Sequence, residues 1–178
     1  MTMAKNVSRR AFIAAGGLGL AAAGELRAQS EDPKSDEKCP FCRIVAGKLS
    51  TFKLWEDKNF LAFLDHKPIS PGHTLVIPKP HYPYLFEMPD KTYERLMSVS
   101  RKFAGPLRSA VGSKRIGVLV EGFGIDHCHV HLVPINGSNE LTRKGVTGVT
   151  DEEFGRISEL IKSAIQSEPR RSFQRYFW

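Results

Sequence analysis

Residues 126–134 read DHCHVHLVP, and every second residue from 127 to 131 is a histidine. Side chains alternate between the two faces of a β-strand, so His127, His129 and His131 should share one face, spaced by about 7 Å. Cys128 then faces the opposite side as a small apolar residue. Three aligned imidazoles can line a ligand cleft or collect a metal ion. Surface or purely structural histidines are the alternative, and the strict alternation disfavours it.

Alternating and apolar runs indicate the strands that would accompany this one, at 53–57, 59–65, 73–78, 115–121 and 127–134. Two prolines and a glycine mark 65–72 as a loop. Apolar residues at spacings of three and four predict helices over Asp90–Val111, which Pro106 should bend or interrupt, and over Asp151–Gln166. This order of elements predicts an α+β fold with an antiparallel sheet, a long helix and a C-terminal helix.

The composition is that of one globular domain. The chain has 178 residues, of which 41% are hydrophobic and 25% are charged. We place the domain at 39–168 and a short tail at 169–178. The formal charge is +7, of which residues 1–28 contribute +3 and the remainder +4. This surplus suits phosphorylated ligands, but the dense basic runs of a nucleic-acid-binding protein are missing, so no nucleic acid partner is expected.

The N-terminal segment has the pattern of an export signal. Residues 8–13 are SRRAFI, and an uncharged apolar run continues to Gly24. The run is too short to span a bilayer comfortably, so residues 1–28 resemble a signal peptide for the twin-arginine translocase. Cleavage after Ala28 would give a periplasmic protein, whereas an uncleaved signal would tether it to the membrane. The polar residues 29–38 should form a linker.

The histidine row also matches His-φ-His-φ-His-φ-φ, where φ is an apolar residue, which is the signature of the histidine triad (HIT) family. Further segments resemble this family in the right order, at 39–47, 55–57, 60–65 and 71–81. A chance match to one short motif would not extend over most of the domain. The resemblance implies a HIT-like fold, and because family members commonly dimerise, it also implies a possible homodimer.

In this family the central histidine attacks the α-phosphorus of a nucleotide and forms a nucleotidyl-imidazole intermediate, which water then opens. The resemblance assigns this attack to His129, contact with the phosphate or scissile oxygen to His131, and orientation of the row to His73. It implies a hydrolase or transferase acting on nucleoside phosphoramidates, dinucleoside polyphosphates or related nucleotidyl compounds. A neutral imidazole is a suitable nucleophile because one ring nitrogen keeps its lone pair near neutral pH.

The nucleoside should lie against the early part of the domain. Phe41, Ile44 and Phe63 resemble the base pocket of the family, and Asp65 matches the carboxylate that accepts hydrogen bonds from the ribose hydroxyls. Apolar side chains at such positions are more often simply core, and only their combination with Asp65 favours a pocket.

One stretch departs from the family pattern. Many members carry a Gln-Ser or Gln-Thr pair shortly before the triad, where this chain reads EGFGID at 121–126. No side-chain hydroxyl or amide is available there to bind the phosphate or leaving group. Two other functions therefore stay open: a nucleotide-binding module with little turnover, and a periplasmic metal-binding protein that uses the histidine row.

Cys39 and Cys42 form a CxxC pair at the start of the predicted domain. Such a pair can be half of a zinc site, a disulfide or a thioredoxin-like redox pair, although the last belongs inside a βαβ pattern. Zinc-binding relatives use two cysteines and two histidines, which match Cys39, Cys42, His81 and His127. Four protein ligands leave no open position, so this zinc would be structural. Export keeps the disulfide as an alternative.

Overall fold

The computed structural model describes residues 35–168. The predicted signal peptide, most of the predicted linker and the C-terminal tail at 169–178 lie outside the described residues. Within the described part of the chain, no helix is both long enough and apolar enough to cross a membrane.

The sheet has five strands, which are β1 Lys53–Glu56, β2 Phe60–Leu64, β3 Thr74–Pro78, β4 Arg115–Leu119 and β5 Val130–Ile135. Their order across the sheet is β1-β2-β3-β5-β4, and all neighbours are antiparallel. The predicted α+β fold is confirmed. The predicted strand at 127–134 starts too early, because β5 begins at Val130 and first pairs there with Val76.

Within residues 35–168, three helices accompany the sheet, which are α1 Pro40–Val45, α2 Asp90–Val111 and α3 Asp151–Ser167, and short 3₁₀ turns lie at Leu85–Glu87 and Glu140–Thr142. The long helix α2 has the predicted bounds and continues through Pro106 without interruption. Pro106 removes one intrahelical hydrogen bond, and burial of the neighbouring Phe103 and Leu107 offsets that cost. At the start of α3, the Thr150 hydroxyl oxygen accepts a hydrogen bond from the Glu153 N–H (3.2 Å).

Both faces of the sheet are covered, which explains why β2 and β3 are buried along their whole length. Phe60, Ala62 and Leu64 pack with α2 and α3 in one cluster, which we call the α2-side core. Leu61 and Phe63 point the other way and pack with α1 in a second cluster, the α1-side core. The histidine-bearing segment follows the same alternation, since its members in the α2-side core are Cys128, Val130 and Leu132.

Candidate functional site

The three histidines lie on the α1 side of the sheet, as the alternation predicts. His131 pairs in β5 with Leu75 of β3, which belongs to the α1-side core. The ring centroids of His129 and His131 are 4.7 Å apart. Phe41 of α1 contacts the rings of His127 and His129 edge to face, with centroid distances of 5.8 Å and 5.2 Å. Helix α1 therefore contacts the first two histidines of the row.

One hydrogen bond fixes the tautomer of His129. Its Nδ1 atom lies 2.6 Å from the backbone carbonyl oxygen of His127. A carbonyl oxygen only accepts, so Nδ1 carries the proton and donates it. In the neutral ring, Nε2 then keeps its lone pair. This is the state that a nucleophilic imidazole needs.

A second chain of hydrogen bonds orders His73 and His131. The backbone N–H of Ile69 donates to Nδ1 of His73 (3.0 Å), so the proton of neutral His73 sits on Nε2. The Nε2–H of His73 donates in turn to Nδ1 of His131 (2.9 Å). Neutral His131 therefore carries its own proton on Nε2 and can donate from that atom.

The surroundings keep these two rings neutral at physiological pH. Burial lowers the pKa of His131 to about 4, and the neighbouring His129 and His73 act in the same direction. Burial also lowers the pKa of His73. Asp65 opposes both shifts, because its Oδ2 atom lies 3.6 Å from Nδ1 of His73 and 3.9 Å from Nδ1 of His131. At neutral pH, His131 is therefore a neutral hydrogen-bond donor and not a cation.

The predicted nucleoside-binding residues fall into two places. Phe41 and Phe63 are buried in the α1-side core, where their rings meet edge to face at 5.5 Å between centroids, and the partly buried Ile44 packs against this core. Asp65 lies beside His131 instead. The apolar side chains and the Asp65 carboxylate come from separate elements, and both lie beside the histidine row, with Phe41 against His129 and Asp65 near His131.

The four predicted metal ligands come together. Each of the four residues offers one ligand atom, and these atoms all lie within 4.8 Å of one another: Cys39, Cys42, His81 and His127. The Nδ1 atom of His127 lies 3.5 Å from Sγ of Cys39 and 3.6 Å from Sγ of Cys42. The same Cys42 sulfur lies 3.3 Å from Nδ1 of His81. A tetrahedral zinc ion, with bonds of about 2.3 Å to sulfur and about 2.1 Å to nitrogen, sets sulfur–nitrogen separations of roughly 3.6 Å. The cluster fits that geometry.

The surroundings of His127 also suit a metal ligand. Its Nε2–H donates to the carbonyl oxygen of Pro78 (2.9 Å), which leaves the lone pair on Nδ1, the atom that faces the two sulfur atoms. Burial lowers the pKa of His127 to about 4, so the ring stays neutral.

The cysteines of the cluster are not bonded to each other. Burial raises the pKa of the Cys42 thiol, and the backbone N–H of Asp36, which donates to its Sγ (3.4 Å), acts against that shift. A bound cation would favour the thiolate much more strongly, since the thiolate is the form that binds metal. Cys128 is different, because it is buried in the α2-side core and burial raises its pKa to about 12.

Two backbone groups that organise the site were not predicted. The Pro78 carbonyl orients His127, and the Ile69 N–H sets the tautomer of His73. Backbone contacts of this kind have no residue-type signature. The grouping of Asp65 with His73 and His131 as a second set able to hold a metal ion was not predicted either. Its sequence signal is weak, because the carboxylate lies eight positions before the first of the two histidines.

Comparison with known proteins decides the family. The model of the HIT domain matches residues 46–137. The chain belongs to the HIT domain family. The matched part contains the histidine row, His73 and His81, whereas helix α1 and the CxxC pair precede it.

This HIT domain is similar to an adenosine 5'-monophosphoramidase of Schizosaccharomyces pombe, with 34% identity over 137 residues that cover 72% of this chain and 98% of the relative. It resembles the structure of a hypothetical histidine triad nucleotide-binding protein from Sulfolobus tokodaii, with a TM-score of 0.69, 29% identity, and coverage of 79% of this chain and 99% of the other. A zinc-bound histidine triad family protein from Mycobacterium smegmatis gives a TM-score of 0.63, 28% identity, and coverage of 72% and 93%. The fold is therefore HIT-like.

Proposed function

We propose that this HIT domain hydrolyses or transfers nucleotidyl groups through attack of His129 on an α-phosphorus. The observation that carries the proposal is the hydrogen bond from His129 Nδ1 to the His127 carbonyl oxygen (2.6 Å), because it leaves Nε2 as the nucleophilic atom. The similar protein from Schizosaccharomyces pombe is named an adenosine 5'-monophosphoramidase. Its name supports nucleoside phosphoramidates as one substrate class, beside dinucleoside polyphosphates and related nucleotidyl compounds.

The reaction runs in two displacements. First, Nε2 of His129 forms a bond to phosphorus while the bond to the leaving group breaks with its electron pair, and a leaving amine takes a proton from water. Second, water attacks the phosphorus, the nitrogen–phosphorus bond breaks with its electrons returning to Nε2, and the proton of the water passes to solvent. In both steps His131 donates a hydrogen bond from Nε2 to a phosphate oxygen or to the scissile atom, while His73 holds its ring by the 2.9 Å contact.

The nucleoside is held by the two groups of side chains that border the row. Phe41, Ile44 and Phe63 provide apolar contacts for the base, and Asp65 accepts hydrogen bonds from the ribose hydroxyls. Phe41 is in ring contact with His129, and Asp65 is 3.9 Å from Nδ1 of His131. A nucleotide whose α-phosphorus lies against the row is therefore within reach of both groups.

A binding module with little turnover is the second candidate, and the residues before the triad favour it. They offer no side-chain hydroxyl or amide to the leaving group, and Phe123 among them is 93% exposed. We would incubate the protein with adenosine and guanosine phosphoramidates and dinucleoside polyphosphates, follow product release by chromatography, and measure AMP binding by calorimetry. Release of a nucleoside monophosphate supports the enzyme, and AMP binding without turnover supports the module. More than one tightly held metal ion per chain, lost when Asp65 or His131 is replaced, supports the metal-binding protein.

We also propose one structural zinc ion held by Cys39, Cys42, His81 and His127. With four protein ligands, the ion supplies stability and no open coordination position for chemistry. The zinc-bound relative from Mycobacterium smegmatis supports this proposal. Elemental analysis should find about one zinc per chain. A metal-free protein, or one in which Cys39 and Cys42 form a disulfide, contradicts it.

We propose further that residues 1–28 export the protein to the periplasm through the twin-arginine translocase. Replacement of both Arg9 and Arg10 by lysine should trap the protein in the cytoplasm, and an undiminished periplasmic yield would refute export by this route. The mass of the exported protein distinguishes a cleaved signal from a retained membrane tether. The predicted homodimer is tested by light scattering on the same material.

A further inference from the structure

We infer that the metal cluster holds the catalytic histidine in position, so that loss of the ion stops attack at phosphorus. The inference rests on the proposed function. It makes three residues positioning residues for His129. His127 is itself a ligand of the cluster, and Tyr82 and Phe41 are each next in the chain to a ligand. Each of the three also contacts His129 or the segment that carries it.

The segment that carries His129 lies outside the hydrogen-bonded ladder of the sheet. Strand β5 pairs with β3 only from Val130 onward, and with β4 only from His131 onward. Ahead of these pairs, the backbone N–H of His127 donates to the Ile125 carbonyl oxygen (2.8 Å). The sheet therefore fixes the backbone only from the residue after the nucleophile onward.

Two backbone contacts of this segment lead directly to metal ligands. The N–H of Cys128 donates to the carbonyl oxygen of Tyr82 (2.6 Å), and Tyr82 follows the ligand His81 in the chain. The carbonyl oxygen of the ligand His127 accepts the Nδ1–H of His129 (2.6 Å). A cluster that holds His81 and His127 therefore holds the segment on both sides of Cys128.

Phe41 connects the remaining two ligands to the nucleophile. It lies between Cys39 and Cys42, and its ring packs edge to face against His129 at 5.2 Å. Helix α1, which contains Phe41, has only six residues and no side-chain cap at its N-terminus. Helices this short are not stable by themselves in water. The position of Phe41 therefore depends on its two flanking cysteines as well as on its packing in the α1-side core.

With an ion bound, the His127 ring is fixed at two points, by the metal at Nδ1 and by the Pro78 carbonyl oxygen at Nε2. Without the ion, Nδ1 and the two sulfur atoms lose their common partner, and the 127–128 peptide is held only by its hydrogen bonds to Tyr82 and His129. The hydrogen bond from His129 Nδ1 to the His127 carbonyl oxygen then weakens. The imidazole of His129 is no longer held in one orientation, so its Nε2 atom is not kept in line with the phosphorus. A displacement of about 1 Å in a reacting group costs about 100-fold in rate.

The direct test compares the zinc-loaded protein with the same protein after chelation. Adenosine 5'-phosphoramidate is mixed with each form, and the first-order rate of adduct formation is measured by acid quench and mass spectrometry. The ring nitrogens of His129 are followed by ¹⁵N NMR without substrate. We expect the rate to fall about 100-fold and the single-tautomer signature to be lost. Ile161→Val, a buried change in the α2-side core away from the cluster, controls for general destabilisation and should alter neither.

A reciprocal measurement uses the intact zinc protein, so it holds even if chelation unfolds the domain. Coupling between two sites acts equally in both directions. AMP, which would touch Phe41 and His129, should therefore raise the equilibrium affinity for zinc about fivefold, as measured by competition with a chromogenic chelator. A zinc affinity that saturating AMP leaves unchanged overturns the inference, as does a chelated protein that keeps its adduct rate and its His129 tautomer signal.

The two proposals fail separately. A zinc-loaded protein that forms no adduct refutes the proposed function, whereas the NMR signature of His129 still decides whether the ion positions this ring. A protein that binds no zinc refutes the inference and leaves the nucleophile assignment to be tested by the adduct alone.

Discussion

Gly145, in the segment after β5, lies close to the loop at Lys67 and Pro68 that precedes His73. A Cβ atom at this position would lie 3.1 Å from the carbonyl oxygen of Pro68 and 3.3 Å from that of Lys67, whereas ordinary contacts begin at 3.4 Å. The neighbouring Val146 N–H donates to the same Pro68 oxygen (2.7 Å), so the segment cannot move away without losing that bond. The substitution Gly145→Ala therefore has to displace the loop by a few tenths of an ångström.

This displacement should affect both stability and turnover. Forcing one methyl group against a held backbone costs about 1–2 kcal/mol of unfolding free energy, which lowers the Tm of a domain of this size by about 3–8 °C. The next residue after Pro68 is Ile69, whose N–H donates to Nδ1 of His73 (3.0 Å). Weakening this bond loosens the chain that orients His131. We expect turnover to fall by about 10-fold, less than the 100-fold of a full 1 Å misplacement.

The assay is thermal unfolding and phosphoramidate turnover of Gly145→Ala beside Gly137→Ala. A Cβ atom at Gly137 would meet only the Glu140 side chain at 3.5 Å, an ordinary contact, so this control should keep both its Tm and its activity. If Gly145→Ala matches the control in both measurements, the steric reasoning is wrong. If only its Tm falls, the loop does not orient His73.

Three further changes have distinct expected results. The unfolding free energy should fall as the pH drops from 6.5 towards 4, because His131 binds a proton in the unfolded chain but stays neutral in the folded one, where its pKa is about 4. In urea titrations, His131→Gln should make this fall with pH less steep, and equal slopes for the two proteins would contradict the prediction. Cys39→Ser should lose zinc and lower the Tm, whereas Cys128→Ala should keep the metal, as elemental analysis and calorimetry would show. Thr150→Ala should cost about 1 kcal/mol in chemical denaturation and leave turnover unchanged, because it removes only the cap of α3.

The sequence was enough to predict that the three histidines share one face of the sheet, because successive side chains of a strand point to opposite faces. With Cys128, Val130 and Leu132 in the α2-side core, the histidines have to face α1. The long helices were equally predictable, because each carries an apolar stripe over several turns. The meeting of the CxxC pair with His81 and His127 came instead from the resemblance to a family, since no local pattern joins residues so distant in the chain.

The start of β5 and the helix α1 could not be predicted, for different physical reasons. Residues 127–129 keep the alternation of a strand, but Cys128 bonds to the Tyr82 carbonyl oxygen and His127 faces the sulfur atoms of Cys39 and Cys42, instead of a neighbouring strand. Helix α1 is too short to show a helical repeat. The Ile69 N–H that orders His73 depends on how a proline-rich loop closes, which residue types alone do not specify.

The central claim is that His129 becomes covalently bound to the α-phosphorus of a nucleotide, and acid-quench mass spectrometry of the protein tests it most directly. The zinc-loaded protein is mixed with adenosine 5'-phosphoramidate, quenched within the first turnover and digested. We predict one peptide carrying the mass of an adenylyl group, containing His129, and no such peptide in His129→Gly, which should still bind AMP. An adduct on another residue, or near-normal turnover by His129→Gly, would contradict the account.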